Sequence, residues 1–87
     1  MNLKEDKDKI VEMLTSKDLE LRELAVDYIM DNYDTDVVVP FLEGLLYYSN
    51  FEPTQTAEWQ LSFIRAGYNS EFIAENLVNA IIEHNKL

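Results

Sequence analysis

The chain contains no cysteine, which excludes disulfides and thiolate metal centres. Its single histidine, His84, would need aspartate and glutamate alone to complete a zinc site, an unusual donor set. Only two glycines and two prolines are present, so neither an internal linker nor a low-complexity segment is expected. Basic residues are scarce: 7 against 17 acidic ones, for a formal charge of −10. That balance argues against direct nucleic-acid binding, which needs a cationic face for the phosphates. No apolar run approaches the roughly 18 residues of a membrane span. The N-terminus, MNLKEDKDK, is charged with no apolar stretch behind it and does not read as a secretion signal. The cytoplasm is the expected compartment.

What is present is apolar material in helical rhythm. The 87 residues are 47% hydrophobic, enough for one small domain over 1–87. The central stretch, residues 18–46, reads as helix, turn, helix. Asp18 suits an N-cap, and Glu20 adds negative charge at the positive end of the helix dipole. Leu21, Leu24, Ala25, Tyr28 and Ile29 recur at three- and four-residue spacing as an apolar stripe. Asp31, Asn32, Asp34, Thr35 and Asp36 mark a turn, with Pro40 then early in the next helix. Helices are expected over about 5–15, 18–32, 36–48, 54–66 and 70–85, with errors of roughly two to four residues. Residues 1–4 are expected to fray, Gly67 to end the fourth helix through positive φ, and Asn69 or Ser70 to cap the fifth. No strand is expected, and Val37, Val38 and Val39 are assigned to a helix start.

A shift of about 32 residues aligns the stripes, a period typical of α-solenoids. Ile10 falls on Leu42 and Ala74, Met13 on Leu45 and Leu77, Leu14 on Leu46 and Val78, Ala25 on Ala57, and Ile29 on Leu61. Asp18, Arg22 and Ala25 match one copy of the HEAT-repeat pattern. Val39, Pro40, Leu42, Leu45, Leu46 and Ala57 match the next, although Asn50 and Thr54 stand where that pattern has Asp and Arg. The chain thus resembles a short HEAT-like solenoid. The resemblance implies an all-α fold: a five-helix right-handed α-α superhelix of helical hairpins, about two and a half repeats long. It implies macromolecular binding and no reaction.

Catalytic and metal motifs fare poorly. From Asn32 to Glu43 the acids fall near EF-hand spacing, but Val37 occupies the sixth position, where the loop needs glycine. Ser16, Ser49, Ser62 and Ser70 have no base nearby in sequence, and Glu71 with Glu75 is an ordinary exposed pair. No enzyme and no cofactor are expected. Asp18 and Arg22, four apart, should form a local ion pair.

The arrangement that points to function is a row of acids. Glu20, Glu23, Asp27 and Asp31 share one helix face, and the repeat shift carries their positions to Glu52, Gln55, Trp59 and Phe63. If the HEAT resemblance holds, these second helices line a concave side, with an acidic row beside an aromatic patch. Trp59 could then take a cation on its face. The plainer alternatives are a solvated acidic face and burial of Trp59 and Phe63 beneath the last helix. The expected function is a protein–protein interaction module, a small acidic adaptor or regulatory subunit for a basic partner segment. The alternative is an inhibitor, an immunity or counter-defence protein whose acidic face blocks a nucleic-acid-binding protein. A homodimer that covers open solenoid ends is a further expectation.

Overall fold

A computed structural model describes residues 2–40, 54–67 and 71–86. Among them the chain is mostly helical, with α1 (Lys7–Leu14), α2 (Leu19–Asn32), α3 (Ala57–Arg65) and α4 (Glu71–His84). Two three-residue strands, β1 (Val38–Pro40) and β2 (Thr54–Thr56), complete the elements.

Four of the five expected helices stand close to where periodicity puts them, although the one expected over 54–66 starts only at Ala57 because Thr54–Thr56 is a strand. Asp18 caps α2 by accepting the Glu20 N–H at 3.0 Å, which satisfies an otherwise orphan donor. Gly67 follows α3 at φ +96, a conformation costly for any residue with a Cβ. A helix over 36–48 does not form at its start, because Val38–Pro40 is extended and pairs antiparallel with Thr54–Thr56. The rest of that expected helix lies outside the described residues, as do Asn69 and Ser70. The reason for the correction is tertiary. β-branched valines suit a pleated strand, and here a partner strand is at hand. Val39 is buried and Val38 exposed, the alternation of a one-sided strand. The buried Gln60 side chain donates to the Val39 carbonyl at 3.1 Å, tying β1 to α3. The first turn of α3 is held from the same segment: Ala57 N–H donates to the Val37 carbonyl at 2.8 Å and Glu58 N–H to that of Thr35 at 3.0 Å.

The packing also corrects the superhelix. In a solenoid each unit touches only its neighbours. Here α1 packs against both α2 and α4, and α3 against both α2 and α4. The four helices close on themselves around one core, built from Leu3, Ile10, Leu14, Ala25, Val26, Ile29, Leu61, Ile64, Leu77, Val78 and Ile81 among others.

Residues 2–4, expected to fray, are held in place. Leu3 is fully buried, and its N–H donates to the Tyr33 hydroxyl at 3.1 Å. The Asn2 side chain accepts the Lys4 N–H at 2.9 Å, and the Asp6 carboxylate accepts the Asn2 N–H at 2.9 Å. A short Asx turn thus delivers Leu3 to the core ahead of α1. At the other end, Asn85 exchanges two hydrogen bonds with the Asp34 backbone, at 3.0 and 3.3 Å. These fasten the end of α4 to the loop after α2.

Candidate functional site

The orientation of α2 decides what the surface offers. Its buried residues are Ala25, Val26 and Ile29, whereas Leu21 and Leu24 are 39% and 61% exposed. Part of the expected apolar stripe therefore faces outward. α2 has neighbours on two sides, α1 and α3, and the arc turned toward them carries Ala25, Val26 and Ile29 rather than the leucines. Arg22 helps to fix the rotation. Its guanidinium does not pair with Asp18 as spacing suggests. It donates to the Ser16 carbonyl at 2.9 Å and to the Arg65 carbonyl at 3.4 Å. That ties the start of α2 to the end of α3.

Glu20, Glu23, Asp27 and Asp31 are all exposed. At about 100° per residue they fall within an arc of about 80° on the side of α2 away from the core. Leu24 borders this arc and Leu21 lies beyond it, toward α1. Asp27 is the one acid of the row with an ion-pair partner among the described residues, Arg65 of α3, at 2.6 Å. Both side chains are largely exposed, so the bridge contributes only about 0.2–1 kcal/mol.

Trp59 and Phe63 meet each other, with ring centroids 4.1 Å apart and planes inclined at 34°. Both are half-buried. They are not brought to the acidic row. Arg65 marks the flank of α3 that faces α2, and the two aromatics sit about 120–160° further round that helix. Phe63 lies against one face of the Trp59 indole. Sequence spacing reveals the stacked pair, but not the side of α3 on which it falls.

A second acidic concavity lies between α1 and α4. It has a volume of about 360 Å³ and is lined by Asp8, Val11, Glu12, Thr15, Glu71 and Glu75. The Lys7 ammonium approaches Glu75 at 3.4 Å and offsets part of its charge. Among the described residues no group of three potential ligands is gathered for a metal ion. Of the EF-hand-like window, Asp34 instead accepts the Asp36 N–H at 3.0 Å and meets His84 Nε2 at 2.9 Å. The Asp36 N–H first, then His84, hold the Asp34 carboxyl below its ordinary range. Glu43 lies outside the described residues.

One hydroxyl pair is perturbed. Tyr28 and Tyr33 meet edge to face with their oxygens 3.2 Å apart. Burial and then the hydrogen bond with Tyr33 push the Tyr28 hydroxyl up to about 12. Ionising it would strand a charge beside a group that already accepts from Leu3. The pair clasps α2 to the N-terminal turn.

Among the described residues, no helix is long and apolar enough to cross a membrane. Comparison with known proteins supplies no family: no protein-family model, curated protein or solved structure matches the chain.

Proposed function

We propose that the protein is an interaction module, an acidic adaptor or regulatory subunit that works in the cytoplasm by binding a basic segment of another protein. The observation that carries this reading is the gathering of Glu20, Glu23, Asp27 and Asp31 on the outward side of α2. Glu20, Glu23 and Asp31 flank Asp27, whose charge Arg65 partly offsets, and the row leaves a net negative strip on the helix. Such a strip attracts a cationic partner and speeds its encounter. The reading needs no reaction and no cofactor. The HEAT-like resemblance supports it as a habit of binding.

The test uses an immobilised lysine- and arginine-rich peptide and surface plasmon resonance. Glu23→Lys with Asp31→Lys should lower the association rate about tenfold at low salt and flatten its salt dependence. Glu71→Lys with Glu83→Lys on α4 alters net charge equally and should have a much smaller effect. Equal losses from both pairs would show that overall charge alone attracts the peptide, and the reading would fail.

A further inference from the structure

The outward side of α2 is not only acidic. Leu24 is 61% and Leu21 39% exposed, and residues three apart on a helix are neighbours. Tyr28, half-buried, continues the same line one turn beyond Leu24. Leu21 also borders a mixed groove of about 400 Å³ between α1 and α2, lined besides by Lys9, Glu12, Met13, Thr15 and Ser16. An apolar track of Leu21, Leu24 and part of Tyr28 therefore runs along α2 beside the groove, bordered on its outer side by Glu20, Asp27 and Asp31. Scattered exposed leucines need no explanation, but a continuous apolar track rimmed by charge marks a contact surface.

We infer that this track is a docking surface for an amphipathic basic helix of a partner protein. Apolar residues of that helix would cover Leu21 and Leu24, and its lysines or arginines would face Glu20, Glu23, Asp27 and Asp31. The inference rests on the proposed binding of a basic segment and adds that segment's form. Charge selects the occupant. A second copy of the chain would pair this face with itself, as a two-fold interface requires. Acids would then oppose acids in a protein of formal charge −10. Backbone chemistry selects the form. α2 spends its own N–H and C=O groups inside the helix, so an extended peptide would find no ladder to join. A helical partner satisfies its own backbone and presents side chains at the matching three- and four-residue spacing.

Two synthetic peptides of about 18 residues, roughly five helical turns, test this. Both are built from the same lysines, leucines and alanines. In one the leucines form a single helical stripe, and in the other they are shuffled. Fluorescence anisotropy should show the striped peptide binding wild type about tenfold or more tighter than the shuffled one. Leu21→Ser with Leu24→Ser should abolish that preference, with the thermal melt unchanged. If the double variant melts early, Leu24→Ser alone carries the comparison. Equal binding of the two peptides, or a preference that survives the leucine changes, would overturn the amphipathic helix while leaving a basic partner in place. Failure of both peptides to bind would remove both readings. Dimerisation of wild type in sedimentation, lost in the leucine variant, would make a second copy the occupant and overturn the inference.

Discussion

α2 and α4 are both 14 residues long, yet they use their apolar residues differently. α4 buries Ala74, Leu77, Val78 and Ile81 and leaves only Phe72 as a large outward hydrophobe. α2 buries Ala25, Val26 and Ile29 and turns Leu19, Leu21 and Leu24 to solvent. Both helices give the core an alanine, a valine and an isoleucine, but α4 adds the buried Leu77 whereas α2 keeps its leucines at the surface beside a line of acids. Both helices hold the fold, and α2 in addition exposes a line of leucines beside its acids.

The sharpest way to break this comparison is to truncate one leucine in each helix. Leu77→Ala should cost about 2–5 kcal/mol, the range for a fully buried leucine that leaves a cavity. Leu24→Ala should stay within about 0.5 kcal/mol, as exposed positions do. Urea melts of the two variants check this, and similar losses would mean that Leu24 belongs to the core.

A smaller effect concerns how α2 is anchored. Because the Tyr28 hydroxyl is held up to about 12, the folded state keeps a proton that the unfolded chain loses near pH 10. The clasp's stabilisation is therefore full below about pH 10 and declines as pH rises toward 12. Tyr28→Phe should flatten the alkaline limb of the stability curve, read from melts across pH 9 to about 12.

The smallest effect is at the end of α4. Asp34 titrates below its ordinary value in the folded state. Its contribution is present above the unfolded aspartate value, near 3.9, and is lost as pH falls through the depressed one. Asp34→Asn should remove part of the acid sensitivity and leave the alkaline limb untouched, which melts between about pH 2 and 5 would show.

Much of the helical content was legible because α1, α2 and α4 each carry a clear apolar period or a local cap such as Asp18. The failures share a cause. Val38 and Val39 become a strand only because Thr54–Thr56 is there to pair with them. Leu3 is ordered only because the Tyr33 hydroxyl waits for its N–H. Leu21 and Leu24 were assigned inward because periodicity finds a stripe but not its direction. Arg22 was assigned to Asp18 because its real acceptors, the Ser16 and Arg65 carbonyls, are not i+4 neighbours. The acidic row was legible as a row, since exposed charge at helical spacing needs no tertiary information. The place of Trp59 and Phe63 relative to it was not, because that depends on which flank of α3 meets α2.

The central claim is that the outer face of α2 receives a basic partner. Amide chemical shifts recorded while the isotopically labelled protein is titrated with the striped basic peptide test it most directly. The account predicts perturbations concentrated at Leu21, Leu24 and the four acids from Glu20 to Asp31, extending to Met13. Perturbations centred instead on Asp8, Glu12, Glu71 and Glu75, or on Trp59 and Phe63 with α2 silent, would contradict it.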